Sequence, residues 1–208
     1  KQLGVPRPEV TAFGRLGHWF GHERLGFEPD LMTFAKGVTS GYIPLGGVLV
    51  GERVARVLID DGGEFHHGYT YSGHPVACAV AIENIRLTLE LGLVERVRDD
   101  VGPYLAAQIE ALHDHPLVGS TDACGMMAGM RLVQDKAAGT PFPDDVDIGL
   151  ACRSHCFDNG LIMRAVGDRM IIAPPLVMTR EQIDEMMALI RRCLDVTLAQ
   201  ARQEGWMH

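Results

Sequence analysis

The first half of the chain alternates short apolar runs with glycine-rich segments, a pattern typical of strands joined by loops. "DLMTFAKG" predicts a buried strand that ends at Lys36, and "LGGVLVG" predicts a second strand. "ERVARVLID" predicts a short helix with Val54, Val57 and Leu58 on one face. The opening "KQLGVPRPEVTAFGRLG" and the later "GGEFHHGYTYSGHP" have no regular period, and both predict irregular loops.

Longer elements follow. "HPVACAVAIENIRLTLELG" predicts a long helix, because Pro75 stands near its first turn and Gly92 just past its end. "LVERVRDDVGPYLAAQIEALHDH" continues as helix. From Val118 onwards, "GMMAGMRLV", "LIMRAV" and "RMIIAPPLV" predict a small mixed sheet, interrupted by a helix around "DIGLACRSHCFDNG".

The last predicted element is a helix that begins after Thr179. Thr179 is a suitable N-cap residue, and Gln182 completes a capping box. The apolar stripe of this helix consists of Ile183, Met187, Ile190 and Leu194. The change of texture near Gly92 predicts a domain boundary, with residues 1–91 in one part and residues 92–208 in a smaller α/β domain.

Composition and charge exclude several classes of function. The 208 residues carry a formal net charge of -8, which argues against nucleic acid or an anionic membrane as the main partner. The longest apolar runs, such as "PVACAVAI", are far shorter than the roughly 20 residues that span a bilayer. No stretch near the start resembles a signal peptide. We therefore expect a cytoplasmic protein.

The cysteines predict no metal site. Five are scattered along the chain, and Cys152 and Cys156 lie four residues apart in a predicted helix. Two thiols at this spacing, without a second pair of ligands, are a weak zinc signal. We interpret them as reduced, mostly buried thiols.

One lysine stands out by its position. Only three of the 19 basic residues are lysines, and Lys36 follows an apolar strand in a glycine-rich stretch. A primary amine condenses with an aldehyde, whereas a guanidinium does not, and apolar surroundings favour the neutral, reactive amine. The alternative is a lysine whose stem packs on the strand end while its head reaches water. Composition alone leaves both open.

Three motifs, taken in their order along the chain, decide between the two interpretations of Lys36. "DLMTFAKGVTSGYIPLGGVLVG", "HHGYTYSGHPVACAVA" and "LIMRAVGDRMIIAPPLVMT" closely resemble the class III aminotransferases, and among them the omega-transaminases that pair pyruvate with an amine or diamine. The resemblance runs from about Thr11 to the end. It implies the pyridoxal-phosphate-dependent fold type I: residues 1–91 would be part of the large α/β domain, and residues 92–208 the small one. Residues 1–10 fall outside it and are interpreted as foreign to the family.

The resemblance also implies the site residues. Lys36 matches the lysine that forms the Schiff base with pyridoxal 5'-phosphate. Thr70 matches the residue whose hydroxyl and N–H hold the cofactor phosphate of the neighbouring subunit of a homodimer, and Tyr69 contributes to the same phosphate site. Without the resemblance, Thr70 would be interpreted as a turn residue that bonds its own backbone. His66, His67 and His74 have no carboxylate or thiol at ligand spacing, so we predict no metal there.

Arg164 matches the mobile arginine that pairs with the substrate carboxylate and swings away for apolar amines. A guanidinium binds a carboxylate through two parallel hydrogen bonds, which suits this role. The alternative is a surface ion pair with Asp168.

The resulting hypothesis is a transaminase that moves an amino group from an amine or diamine donor to pyruvate or another oxo acid. The chain also departs from the family. Arg7 stands where the family has an aspartate that pairs with the cofactor's ring nitrogen, Ala12 replaces a glycine, and the family's N-terminal half has no counterpart here. A non-catalytic truncated remnant of such an enzyme therefore stays open, as does an aminomutase or racemase on the same fold.

Overall fold

The computed structural model describes residues 8–207, and the chain divides into two compact units between Arg96 and Val97. The sequence predicts this boundary a few residues earlier, near Gly92. Among the described residues, no helix is both long and apolar enough to cross a bilayer.

The N-terminal unit contains a two-stranded sheet and several helices. In chain order its elements are α1 (Pro8–Thr11), α2 (Gly21–Leu25), β1 (Leu31–Phe34), a 3₁₀ turn (Lys36–Thr39), β2 (Gly47–Val50), α3 (Glu52–Arg56), a π-helical turn (Val57–Asp61), α4 (Pro75–Glu90) and α5 (Leu93–Arg96). β1 and β2 run antiparallel, with Phe34 opposite Gly47. The two predicted strands and the long helix are confirmed. The prediction of a loop for the opening segment misses α1.

The core of this unit is small. It consists of Ala12, Phe13, Val38 and Ala81, against which Phe34 packs. The helical face predicted for Val54, Val57 and Leu58 is not buried: Val57 is 57% exposed, and α3 has no buried residue. A surface helix normally covers its apolar stripe against another element. Within the described part of this unit, no element does so for α3.

The C-terminal unit is an antiparallel sheet with helices. Its elements are a π-helical turn (Val97–Val101), α6 (Gly102–Ala111), a 3₁₀ turn (Leu112–Asp114), β3 (Val118–Cys124), β4 (Met127–Leu132), α7 (Ile148–Asp158), β5 (Arg164–Val166), β6 (Arg169–Ile172) and α8 (Arg180–Gln203). The strand order is β3-β4-β6-β5. The predicted mixed sheet is wrong, since all three pairings are antiparallel. Tight hairpins join β3 to β4 and β5 to β6, which forces the direction of these two pairings. The third pairing, of β4 with β6, joins strands that are separated by α7 and β5, and it is antiparallel as well.

α8 completes the core of the C-terminal unit. Thr179 Oγ1 accepts a hydrogen bond from the N–H of Gln182, whose side chain accepts one from the N–H of Thr179, so the predicted capping box is confirmed. The predicted apolar stripe is also confirmed, because all four of its residues are buried. This core holds 26 buried residues and is far larger than the core of the N-terminal unit. The C-terminal unit therefore buries most of the apolar surface of the chain.

Candidate active site

Lys36 begins the 3₁₀ turn that directly follows β1. Its backbone has a φ of 50°, in the left-handed region that a lysine rarely adopts. The side chain is exposed. It borders an open concavity of about 560 Å³, which is lined by Ala35, Lys36, Thr39, Gly41, Ile43, Pro44, Leu45 and Gly46. Among the described residues that line it, none carries a carboxylate.

The apolar surroundings expected around the amine are present only in part. Phe34 and Val38 flank Lys36 in sequence, but both pack into the core of the N-terminal unit, and Val38 is only 3% exposed. They therefore fix the backbone on either side of the lysine without covering its side chain. Lys36 thus lines the concavity from a backbone position that is anchored on both sides.

Hydrogen bonds and close packing hold the turn that carries Lys36. Asn84, on α4, donates from Nδ2 to the carbonyl oxygens of Gly37 at 2.9 Å and Val38 at 3.1 Å. Thr39 Oγ1 donates to the carbonyl oxygen of Ile43 at 2.7 Å, across the following loop. Sequence reasoning missed Asn84, because a contact across 46 or 47 residues leaves no local pattern.

Gly37 closes the other side of this turn. A Cβ added at Gly37 would lie 3.3 Å from the Cβ and Cδ2 atoms of Phe13. Phe13 also has a positive φ, 55°, and its ring makes edge contacts with the rings of Phe20 and Phe34. The glycine after the lysine thus lets an aromatic side chain pack directly against the turn.

Tyr69 and Thr70 lie in the exposed loop that precedes α4. The N–H of Ser72 donates to the carbonyl oxygen of Tyr69 at 2.9 Å, and Ser72 Oγ accepts from the N–H of Tyr69 at 3.0 Å. These two bonds close a turn in which Thr70 is the second residue. Thr70 thus lies in a turn, as the alternative expects, but among the described residues its hydroxyl and N–H have no hydrogen-bond partner. Tyr69 is 77% exposed.

Arg164 belongs to the C-terminal unit, where it is the first residue of the edge strand β5 and pairs with Ile171. Its side chain is exposed. The alternative of an ion pair with Asp168 is wrong, because no such pair forms between these two described residues. Burial raises the pKa of Asp168, and the positive charge that opposes this shift is that of Arg131. The guanidinium of Arg164 is therefore uncommitted within the described chain.

Cysteines and histidines form no metal centre in the described part of the chain, where no cluster of three or more potential ligands is present. The five cysteines are free, as predicted, and Cys152, Cys156 and Cys193 are buried in the core. Arg7, predicted to stand at the aspartate position of the family, lies outside the described residues.

Comparison with known proteins gives a consistent result. The chain is 54% identical over 190 residues to the putrescine–pyruvate aminotransferase of Pseudomonas aeruginosa, covering 91% of this chain and 41% of that protein. It is 37% identical over 191 residues to gamma aminobutyrate transaminase 1 of Solanum lycopersicum, covering 90% of this chain and 37% of that protein. The chain therefore spans about two fifths of the length of these relatives.

Solved structures agree with these relatives. An (S)-enantioselective omega-transaminase from Thermomicrobium roseum matches with a TM-score of 0.86 at 39% identity, over 91% of this chain and 42% of that one. A PLP-bound aminotransferase mutant from Vibrio fluvialis matches with a TM-score of 0.88 at 33% identity, over 93% and 43%. These matches confirm the predicted fold, a part of the fold type I architecture. The model of the family "Aminotransferase class-III" matches residues 9–194, so the match already includes Glu9 and Val10, which the sequence analysis places outside the family. The chain belongs to the class III aminotransferases.

Proposed function

We propose that the protein carrying this sequence is a pyridoxal-phosphate-dependent transaminase that moves an amino group from an amine or diamine to pyruvate or another oxo acid. The observation that carries the proposal is the placement of Lys36 directly after β1, with a strained backbone and an exposed side chain. The family match and the 54% identity to a putrescine–pyruvate aminotransferase support the reaction class. Strained backbone at a reactive side chain is typical of active sites.

The residues of the N-terminal unit suit the cofactor. Lys36 supplies a primary amine that would hold the cofactor's aldehyde carbon covalently, beside a concavity wide enough for a flat ring. Gly41 and Gly46 line that concavity and leave room for close approach. The relative from Vibrio fluvialis is described as PLP-bound, which supports the choice of cofactor.

The Tyr69–Thr70 loop is proposed to bind the cofactor phosphate of a second copy in a homodimer. A hydroxyl and an N–H group in an exposed loop are suitable donors to a phosphate oxygen. The Thr70 hydroxyl and N–H are both uncommitted among the described residues, which supports this role. Arg164 is proposed to bind the carboxylate of the oxo acid through its exposed guanidinium.

Two half-reactions follow from this arrangement. When bound, the cofactor takes up the electron pair that the donor carbon keeps as it loses its proton. The Lys36 amine accepts that proton and returns it at the neighbouring position, which is general acid–base work for a group within reach of both atoms. The donor leaves as an aldehyde or ketone, and pyruvate leaves as alanine. The oxo acid thus gains the amino group that the donor loses.

The test uses a chimera in which these residues replace the matching part of the Pseudomonas aeruginosa enzyme. The chimera should convert putrescine and pyruvate, and Lys36→Arg should remove turnover, because a guanidinium neither condenses with the aldehyde nor shuttles a proton. Lys136→Arg is the matched control, since the Lys136 amine donates to the carbonyl oxygen of His115 at 3.4 Å, in the other unit. Turnover that survives Lys36→Arg would refute the proposal.

A further inference from the structure

We infer that Asn84 is a positioning residue for Lys36. It acts through the backbone that follows the lysine, and the inference rests on the proposed function of that lysine. Asn84 lies on α4, far from Lys36 in sequence, and its side chain is half-buried. Neither the sequence motifs nor the family resemblance indicates it.

One side-chain amide group donates hydrogen bonds to two backbone carbonyl oxygens. Nδ2 of Asn84 lies 2.9 Å from the oxygen of Gly37 and 3.1 Å from the oxygen of Val38. Carbonyl oxygens only accept hydrogen bonds, so the NH₂ group of the amide must face them, with one hydrogen for each. These carbonyls belong to the second and third peptide units after Lys36, Gly37–Val38 and Val38–Thr39. Only the Lys36–Gly37 unit lies between them and the lysine, and its orientation depends on the backbone angles of both residues.

The other side of the same turn is packed against apolar side chains. Gly37 packs against Phe13, where even a Cβ would lie only 3.3 Å from the aromatic side chain. Val38 is buried in the core. The turn therefore lies between an apolar surface on one side and Asn84 on the other.

Lys36 needs this support because of its own conformation. A lysine at a φ of 50° is in a sparsely populated region, and such a residue persists only where its surroundings hold it. If the bonds from Asn84 are lost, the Gly37 carbonyl is held by a longer bond, from the N–H of Ser40 at 3.3 Å, so the turn can shift and the lysine can relax toward an extended backbone. The direction of its amine would change, while the amine would stay exposed. Loss of Asn84 should thus slow the condensation of Lys36 with the cofactor aldehyde, because that reaction depends on the direction of the amine. Acetylation of Lys36 depends only on exposure and should not change.

The experiment uses the 208-residue chain itself, in dilute solution, with pyridoxal 5'-phosphate and borohydride. Each lysine amine adds to the aldehyde carbon with loss of water, and borohydride delivers hydride to the resulting C=N carbon, which makes the label permanent. Peptide mass spectrometry then gives the labelling of Lys36 relative to Lys136. In parallel, acetylation by an N-hydroxysuccinimide ester measures the exposure of the same two amines.

Asn84→Asp and Asn84→Ala should both lower the ratio of Lys36 to Lys136 labelling by about 3- to 10-fold, the range that corresponds to one ordinary hydrogen bond. Acetylation of Lys36 should not change. Asn84→Asp keeps the shape of the side chain and removes both donors, so it remains informative if the alanine variant folds poorly. Glu83→Gln, at the neighbouring exposed position on α4, is the control and should behave like the parent chain.

Two outcomes would overturn the inference. If the parent chain prefers Lys36 and both Asn84 variants keep that preference, Asn84 does not position the lysine, while the proposed function stands. If acetylation and cofactor labelling change together, with a loss of far-UV helix signal, Asn84 is a structural anchor of α4 only. An equal labelling of Lys36 and Lys136 in the parent chain would instead count against the proposed function, and the inference would fall with it.

Discussion

The ring of Phe34 lies against the α-carbon of Gly47, its partner across the β1–β2 ladder, and a Cβ added at Gly47 would lie 2.5 Å from Phe34 Cζ. Phe34 stands two residues before Lys36, and its ring also contacts that of Phe13 at a centroid distance of 6.1 Å. The glycine at position 47 therefore allows the aromatic ring to close the end of the strand pair that carries the lysine.

Gly47→Ala should destabilise the N-terminal unit, because the new methyl group displaces the ring of Phe34 from its contact with Phe13. Overpacking of this kind costs about 1–3 kcal/mol in free energy of unfolding. Urea unfolding followed by aromatic fluorescence would measure the loss. Gly68→Ala is the control, since a Cβ at Gly68 meets no atom within 4 Å and its backbone φ is not positive. Equal stability of the two variants would show that the ring moves aside at no cost.

Contacts between residues that are close in the chain can be predicted from the sequence, whereas contacts between distant segments cannot. The capping box at Thr179 involves residues three apart, so its pattern is visible in the chain. Two of the antiparallel pairings also have a local signal: Gly125 and Gly167, both with positive φ, lie in tight hairpin turns that require antiparallel pairing. The third pairing, of β4 with β6, joins strands that are far apart in the chain, so no local pattern distinguishes an antiparallel sheet from a mixed one.

The site shows the same division. The strand before Lys36 and the glycine after it could be predicted from the local pattern. The support from Asn84 and Phe13 could not, because each is brought to the lysine by the packing of separate elements. The exposure of Lys36 agrees with the alternative in which its head reaches water, while its apolar neighbours Phe34 and Val38 face the core.

Arg164→Ala should separate the two half-reactions. If Arg164 binds the carboxylate of the oxo acid, its loss should lower kcat/KM for pyruvate. The corresponding activation free energy should rise by about 2–4 kcal/mol, as is usual when one partner of a charge-assisted hydrogen-bonded pair is removed. An amine donor without a carboxylate should be nearly unaffected. Steady-state kinetics of the chimera with both substrates varied would give the two values.

Arg169→Ala is the matched control for this experiment, because Arg169 is an exposed arginine on the neighbouring strand β6. It should leave both substrates unchanged. An equal loss for pyruvate and for the amine in Arg164→Ala would assign Arg164 a role in the sheet instead.

His115 should make the C-terminal unit less stable in mild acid. It is 4% exposed, its Nδ1 accepts from the N–H of Leu117 at 3.2 Å, and its Nε2 lies 3.3 Å from Asp195 Oδ1. Burial lowers the pKa of His115, with Arg191 acting in the same direction and Asp195 and Asp114 opposing it. In the unfolded chain a histidine has a pKa of about 6.5, so the unfolded chain binds a proton at a pH where the folded chain does not.

It follows that the free energy of unfolding falls as the pH decreases below about 6.5. His115→Asn keeps an acceptor for the Leu117 N–H but cannot titrate, so it should lose less stability between about pH 7.5 and about pH 5.5. Urea midpoints at the two pH values would measure this difference. His113→Asn changes an exposed histidine in the same turn and should follow the parent chain. A steeper loss in His115→Asn than in the parent would contradict the direction of the shift.

The last prediction concerns the 208 residues on their own. The N-terminal unit exposes many large apolar side chains, among them Leu31, Val48, Leu49, Val57, Ile59, Phe65, Tyr71, Val76, Ile82 and Leu89. Its only described sheet has two strands, and an isolated pair of strands with open edges invites further pairing. Large apolar side chains exposed in this number favour association with another surface. We therefore expect the chain to self-associate and, when tested with an aryl amine and pyruvate, to show no transamination.

Light scattering and sedimentation over a range of concentrations would measure the association, and alanine formation would measure the activity. Leu49→Lys on β2 and Ile82→Glu on α4 should shift the chain toward monomer, because each places a charge within the exposed apolar surface. Leu150→Lys is the control, as Leu150 is 46% exposed on α7 of the other unit and should not alter association. A monodisperse parent chain would contradict the first expectation. Robust alanine formation that Lys36→Ala abolishes would contradict the second expectation. It would mean that the open concavity beside Lys36 holds cofactor and substrates without the further residues that the longer relatives have.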